Sequence, residues 1–224
     1  MKIDIVTLFP NMFNGPFEES IIKRAINKEL VNINIYNLRN WAKNKHKIVD
    51  DKPYGGGTGM LLKIEPIYKA IKELKKGKTK VILLSPQGKV FNQKKAKKLS
   101  KESHLIFICG HYEGFDERIK KHLIDEEISI GDYVLTGGEL PAMVVVDSVV
   151  RLIPGVLEKS EATKKESFSN PELLEYPQYT RPETFRGWSV PKVLLSGNRK
   201  KIEKWQEKQA SSRTKKRRPE LFKA

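Results

Sequence analysis

The segment SIGDYVLTGGELP, residues 129–141, decides the fold of this chain. It begins like an apolar strand and is interrupted by glycine at 131 and again at 137–138. Glycine permits positive φ and lets a ligand approach bare backbone, so the segment predicts a loop with exposed peptide groups. Pro141 suits the first turn of a helix, which the apolar run 142–153 would continue. The segment thus predicts either a ligand-binding loop at a strand end or a plain strand–turn–helix connection.

Short apolar strands and amphipathic helices alternate on the N-terminal side of this segment. The pattern predicts strands at 3–8, 31–36, 81–84 and 105–109, and helices at 17–28, 66–76 and 92–101. Continuous apolar strands are typical of a parallel sheet covered on both faces, so the fold class is α/β with a Rossmann-like sheet. Three glycine-bearing turns, at 85–88, 110–114 and 131–138, follow such strands and are expected to converge on one pocket. Periodicity alone predicts no knot.

Composition changes after Pro154-Gly155. Residues 158–170 are polar and charged, which is typical of a mobile linker. Asn198 predicts the N-cap of a helix that runs to about Arg213, followed by a densely basic tail, 213–218. The chain is therefore divided into 1–157, a linker 158–174 and a small, mainly helical domain 175–224.

Charge is large and segregated along the chain. There are 43 Lys and Arg against 27 Asp and Glu, a formal net charge of +16. The surplus is concentrated in 63–101 and 186–224, whereas 102–170 is acidic, and this favours a nucleic-acid partner. Cys109 is the single cysteine, so neither an intrachain disulfide nor a cysteine metal cluster can form. No apolar run reaches the roughly 20 residues of a membrane span, and the N-terminus lacks a signal-peptide pattern, which predicts a cytoplasmic protein.

Four motifs carry a resemblance to a known family: IGDYVLTGGELPAM at 130–143, LLSPQG at 83–88, CGHYEGFDERI at 109–119 and DKPYGGGTGM at 51–60. In this order they resemble the bacterial tRNA (guanine-N1)-methyltransferases, the TrmD family of the SPOUT class. The resemblance extends to RRPEL at 217–221. It implies a deep trefoil knot, methyl transfer from S-adenosylmethionine to guanosine N1 at tRNA position 37, 3′ of the anticodon, and a homodimer with a composite site. It also raises magnesium as an additional cofactor, although no metal site is legible in the sequence.

The resemblance implies a cofactor site built from the three glycine-bearing turns. Glu113 is also a candidate on its own account, because it lies inside a turn and not at a helix start. The implied cofactor residues are Leu84, Ser85, Pro86, Gly110, Tyr112, Glu113, Gly114, Ile130, Gly131, Asp132, Tyr133, Val134, Leu135, Gly137 and Gly138.

Methylation of guanine N1 needs a base for the N1 proton and a positive group for charge that develops on O6. The resemblance implies Glu166 as the base and Arg151 as the positive group. The family has aspartate where this chain has Glu166, so the carboxylate is kept with one more methylene. From the sequence alone, Glu166 also fits a solvated linker charge, and Arg151 also fits a helix C-terminal cap. The implied substrate residues are Ser167, Glu175, Gly56, Gly57, Lys215, Arg217 and Arg218.

Two further functions stay open at this stage: an RNA-binding protein of the same fold without turnover, and a SPOUT enzyme with another RNA substrate. A nucleotide hydrolase is not favoured, because no Gly-Lys-Ser/Thr follows the glycine run 55–59. The four histidines show no metal-ligand spacing, so they are interpreted as solvated or structural.

Overall fold

The computed structural model describes residues 1–159, 163–170 and 173–223. Backbone contacts divide the chain into two compact units, Met1–Glu158 and Lys159–Ala224, called here the N-terminal and C-terminal units. No helix of the described ranges is long and apolar enough to cross a membrane.

The N-terminal unit contains seven of the described strands. They are β1 Lys2–Thr7, β2 Asn32–Asn37, β3 Asp50–Asp51, β4 Leu61–Leu62, β5 Thr79–Val90, β6 His104–Cys109 and β7 Glu126–Ser129. Its described helices are α1 Ser20–Asn27, α2 Ile64–Leu74, α3 Gln93–Leu99, α4 Glu117–His122 and α5 Glu139–Val150.

The main sheet has the order β2-β1-β6-β5-β7, and its neighbouring strands are all parallel. Both faces are covered. Ile106 and Ile108 of β6 pack into a core with α2 and α4, while Leu105 and Phe107 pack into a second core with α1, α3 and α5. The predicted parallel α/β sheet is confirmed, and the alternation along β6 explains why its sequence is apolar throughout.

Helix α5 follows the decisive segment and is the most apolar helix of this unit. Its buried residues Ala142, Val145, Val146, Val149 and Val150 recur at helical spacing and contribute to the second core. This packing fixes where the preceding glycine loop ends. Pro141 lies in the first turn of α5, as predicted.

The predicted strand end at 85–88 is wrong. Strand β5 continues to Val90, and Leu84 and Lys89 both lie opposite Ile128 of β7. Residues 85–88 therefore form a bulge in an edge pairing, a feature that hydrophobic periodicity does not reveal. Gly88 permits the close approach, since a Cβ there would lie 2.5 Å from the backbone N of Ile128.

The C-terminal unit contains a two-stranded hairpin, β8 Thr184–Phe185 and β9 Trp188–Ser189, and two helices, α6 Lys192–Leu195 and α7 Arg199–Arg217. Asn198 is the N-cap of α7, as predicted, and its Oδ1 accepts from Lys201 N at 3.1 Å. The predicted helix end near Arg213 is wrong, because α7 continues to Arg217. Thr214 is buried and its Oγ1 accepts from Leu174 N at 2.9 Å, so tertiary contacts hold the last turn in place.

Candidate functional site

A cavity of about 480 Å³ lies where β5, β6 and β7 present the 85–88 bulge, the 110–115 loop and the 129–138 loop. The structure brings together the three turns that the sequence singled out. Fourteen of the fifteen predicted cofactor residues line this cavity, and the exception is Asp132, which is exposed outside it. The cavity is also lined by residues that were not predicted: Gln87, His111, Phe115, Glu117, Lys120, Ile128, Ser129, Thr136 and Pro141.

Backbone contacts join the two longer loops. Gly138 N donates to Gly110 O at 2.8 Å, and His111 and Gly137 form an isolated antiparallel bridge. Within the second loop, Ser129 Oγ donates to Gly131 O at 2.9 Å. Main-chain hydrogen bonds therefore join the loops that form the cavity wall.

The glycines of the wall serve two different purposes. At Gly138 a Cβ would lie 2.7 Å from Gly110 N and 2.8 Å from Cys109 Cα, so its role is close packing of the loops. Gly114 has φ +115°, and a Cβ there would meet no described atom within 4 Å beyond its chain neighbours. Its role is therefore the turn itself, with open space beside the cavity.

The glycine loop 55–59 meets the cavity through Glu113. Glu113 N donates to Met60 O at 3.1 Å, and a Cβ at Gly59 would lie 2.3 Å from Glu113 Cγ. Gly56 and Gly57 are exposed and do not line the cavity. The loop is thus anchored at its C-terminal end, beside a residue that the cavity shares.

The charged side chains of the cavity wall are Glu113, Glu117 and Lys120. Lys120 Nζ lies 3.2 Å from Glu127 Oε1, so its charge is paired. The neighbouring Asp116 is the N-cap of α4, and the hydrogen bond from Arg118 holds the pKa of its carboxyl below the usual value. The carboxylates that face the cavity suit a ligand with a positive centre.

Cys109 is buried and immediately precedes the cavity residue Gly110. Burial, followed by the charge of Glu139, raises the pKa of its thiol well above the usual value. A thiol in that state is a poor nucleophile, so its interpretation as a structural strand residue is consistent with its surroundings.

The predicted catalytic groups belong to different units. Arg151 is the C-cap of α5, with its backbone N donating to Asp147 O at 3.2 Å. Glu166 and Glu175 line a cleft of about 430 Å³ in the C-terminal unit. Ser167 is linked to that cleft, because its Oγ accepts from Glu175 N at 3.0 Å.

Residues 163–170, which lie within the predicted linker 158–174, make local backbone hydrogen bonds. Phe168 has φ +65°, and its N donates to Leu173 O at 2.9 Å. Arg213 of α7 donates from Nη1 to Glu175 O at 3.2 Å. These bonds tie the carboxylate-bearing segment to the last turns of α7, where the predicted RNA contacts Lys215, Arg217 and Arg218 are exposed.

The family model described as tRNA (Guanine-1)-methyltransferase TrmD matches residues 1–224. The chain belongs to this family. Relatives from three bacteria, each named tRNA (guanine-N(1)-)-methyltransferase, have similar sequences. The one from Dehalococcoides mccartyi strain CBDB1 is 59% identical, covering 99% of this chain and 90% of the relative. Those from Dictyoglomus turgidum and Carboxydothermus hydrogenoformans are 58% and 57% identical, covering 99% and 100% of this chain and 90% and 88% of the relatives.

The sequence did not reveal the buried carboxylate of Glu139, which lies next to the cavity residue Gly137. Thr7 Oγ1, at the end of β1, donates to Glu139 Oε1 at 2.6 Å, and both residues are fully buried. Glu139 Oε2 has no hydrogen-bond partner within the described residues and points toward Gly137 and the His111 ring. The only signal was an acid in the first turn of a helix, which is ordinarily explained by the helix dipole.

His111 was interpreted as solvated or structural, yet its ring is part of the cavity wall. It packs against Phe9 at 4.7 Å and Tyr112 at 5.4 Å between ring centroids. His104 is structural, since its Nε2 lies 2.9 Å from the buried Asp4 Oδ2. Among the described residues, no group of three or more His, Cys, Asp and Glu has an arrangement that would hold a metal ion.

Proposed function

We propose that this chain transfers the methyl group of S-adenosylmethionine to N1 of guanosine at tRNA position 37, next to the anticodon. The observation that carries the proposal is the convergence of three family motifs on one cavity with a main-chain wall. The relatives' names favour this activity over an RNA-binding protein without turnover and over a different RNA substrate.

The cavity fits the cofactor in size and chemistry. Its volume of about 480 Å³ lies within the range of small-molecule sites, about 300–1,000 Å³. Peptide groups of the three loops would hold the adenosine part, and Glu113 and Glu117 would face the positive sulfonium. S-adenosylmethionine supplies a methyl group that is electrophilic because it is bonded to that sulfonium.

The substrate nitrogen needs help from the protein, because guanine N1 carries a proton at neutral pH and is then a weak nucleophile. Glu166 would accept that proton, which makes N1 a nucleophile for the methyl group as the bond between that group and the sulfonium sulfur breaks. Arg151 would stabilise the negative charge that develops on O6 when N1 loses its proton. The longer side chain of glutamate would place its carboxylate farther from the backbone than the family's aspartate does, while leaving the chemistry unchanged.

Of the three segments predicted from the sequence, 1–157 would hold the cofactor, 158–174 would carry the catalytic carboxylate and 175–224 would bind tRNA. Two copies would form a homodimer whose site takes its cofactor cavity from one subunit and Glu166 from the other. The chain would be knotted where the 129–138 loop reaches back to Gly110. Magnesium would be an additional cofactor, although the described residues contain no cluster of three or more metal-ligating side chains. The protein would work in the cytoplasm.

RNA contacts would come from the exposed basic end of α7 and from the glycine loop. Lys215, Arg217 and Arg218 would neutralise phosphates, which gives affinity with little sequence preference. The target guanine, once unstacked from the neighbouring RNA bases, would be surrounded by Ser167, Glu175, Gly56 and Gly57.

The test is methyl transfer from tritiated S-adenosylmethionine to tRNA transcripts that differ only in G or A at position 37. Label in the G transcript alone, mapped to N1, is expected. Tight tRNA binding without label would indicate an RNA-binding protein instead. Label at another atom or in another RNA would indicate a different methyltransferase.

A further inference from the structure

The β8–β9 hairpin of the C-terminal unit presents two large aromatic rings to solvent. Phe185 and Trp188 are paired across the hairpin, with ring centroids 6.2 Å apart, and they are 54% and 73% exposed. The loop that joins the strands is Arg186-Gly187, with φ of +51° and +81°. The hairpin places both rings on the same side, because directly paired residues share a face.

The two rings do not pack into a hydrophobic core of the described chain. Every residue from 181 to 189 is exposed, so no other part of the described chain covers them. The opposite face is polar, with Thr184 Oγ1 and Ser189 Oγ 3.1 Å apart. A two-stranded hairpin is marginal in water, and one that keeps a tryptophan on its open face is well suited to a partner with flat, apolar surfaces.

The charge around the rings is positive. The Arg186 guanidinium lies 5.6 Å from the centroid of Phe185, and Arg181 and Lys192 flank the hairpin against the single acid Glu183. Helix α7 of the same unit adds nine basic side chains against two acidic ones. Exposed aromatic rings beside arginine, in a basic setting, are the composition of surfaces that stack nucleobases.

We infer that the β8–β9 hairpin is a stacking platform for an unpaired base of the RNA substrate, with Trp188 as its main contact and Phe185 and Arg186 beside it. The inference rests on the proposed function and adds a base contact to the phosphate contacts of the basic helix end. An unpaired nucleotide in or near the anticodon loop has the chemistry required, since its π-face is free.

Base stacking and phosphate contacts both contribute to tRNA affinity, but only the phosphate contacts make that affinity depend strongly on salt. This difference in salt dependence tests the inference. Trp188→Ile removes the aromatic face but keeps a β-branched side chain that suits the hairpin. We expect it to weaken binding of unmodified tRNA transcript about 10-fold, with the slope of log Kd against log salt unchanged. Lys215→Ala is the comparator, because loss of a phosphate contact flattens that slope. Trp188→Tyr keeps an aromatic face and is expected to bind within about 2-fold of the unaltered chain.

Tyr68→Ile is the matched control, since Tyr68 is an exposed aromatic residue on α2 and has no part in the proposed site. It is expected to leave tRNA affinity unchanged. A variant with Trp41→Phe and Trp205→Phe leaves Trp188 as the sole tryptophan. Its fluorescence is expected to be quenched when tRNA is added.

Equal affinity of the Trp188→Ile and unaltered chains, or unquenched Trp188 fluorescence, would overturn the inference and leave the proposed function intact. Failure of the unaltered chain to bind or methylate tRNA would instead count against the proposed function. If sedimentation gave the Trp188→Ile chain a different molecular mass from the unaltered chain, the hairpin would contact a second copy of the chain. That result would also overturn the inference.

Discussion

Gly138 is a residue at which the two cavity loops are in close contact. Its φ is −83°, a value open to any residue, so its need for glycine comes from the Cβ that would lie 2.7 Å from Gly110 N. Backbone atoms cannot move aside as a rotamer does. We expect Gly138→Ala to lower the free energy of unfolding by about 1–3 kcal/mol and to abolish S-adenosylmethionine binding, as measured by urea denaturation and calorimetry.

Gly197→Ala is a control that distinguishes a steric clash of the added Cβ, as expected for Gly138→Ala, from backbone strain. Gly197 has φ +68°, and a Cβ there would meet no atom of the described residues within 4 Å beyond its chain neighbours. Alanine at this position therefore introduces strain alone, about 1 kcal/mol. Cofactor affinity is expected to survive in this variant. Retention of cofactor binding by Gly138→Ala would contradict the packing role of Gly138.

At the scale of single residues, the sequence indicated where the site lies better than it indicated why each residue is there. The glycines at 137–138 suggested bare backbone for a ligand, whereas the structure gives Gly138 a packing role as well. Glu139 was overlooked because its contact to Thr7 spans 132 positions of sequence, and no local pattern encodes such a pair.

Among the elements, the edge strand β7 depends on an ion-pair cluster. Glu126 contacts Lys80 Nζ at 2.9 Å and also pairs with Lys95 of α3. Burial raises the pKa of its carboxyl, but hydrogen bonds from the two lysines outweigh this and leave the pKa below the usual value. The ion pairs of this carboxylate, including the one with Lys95 of α3, therefore exist only while it is ionised.

Because the folded-state pKa lies below that of the unfolded chain, this contribution is fully present above the ordinary glutamate pKa and is lost as pH falls through the folded value. We expect Glu126→Gln to cost about 1–2 kcal/mol at pH 7 and to cost progressively less below about pH 4. Urea denaturation of both chains across pH measures the difference. Glu220→Gln, which alters an exposed ion pair with Arg218, is the control and is expected to change stability little at any pH. A cost for Glu126→Gln that is independent of pH would contradict the ionic origin.

Elements with a continuous apolar run could be predicted closely, and those shaped by distant contacts could not. Strand β6 was predicted to within one residue because its alternate side chains enter two cores. The end of β5 was misplaced, since Pro86 and Gly88 suggest a break while the pairing with Ile128 resumes beyond them. The end of α7 was misplaced because the Thr214–Leu174 bond, which supports its last turn, is not local.

For the whole molecule, the proposed reaction requires the cavity of the N-terminal unit and the Glu166 carboxylate of the C-terminal unit to act on one guanine. The units are separately compact, and the predicted groups Arg151 and Glu166 lie in different ones. The proposed homodimer, in which each site takes one group from each subunit, makes a quantitative prediction that a site within one chain does not share.

Arg151→Ala and Glu166→Gln are each expected to lose methyl transfer while keeping S-adenosylmethionine affinity, since neither residue lines the cofactor cavity. When the two inactive variants are mixed in equal amounts and allowed to exchange subunits, half of the dimers combine one of each. In every such dimer one site has both native groups, so activity is expected to return to about a quarter of the unaltered level. Tritium transfer to tRNA measures the recovery, and mixing either variant with itself is the control. If both groups came from the same chain, mixing would restore nothing, and the composite site would be excluded even though the single variants were inactive.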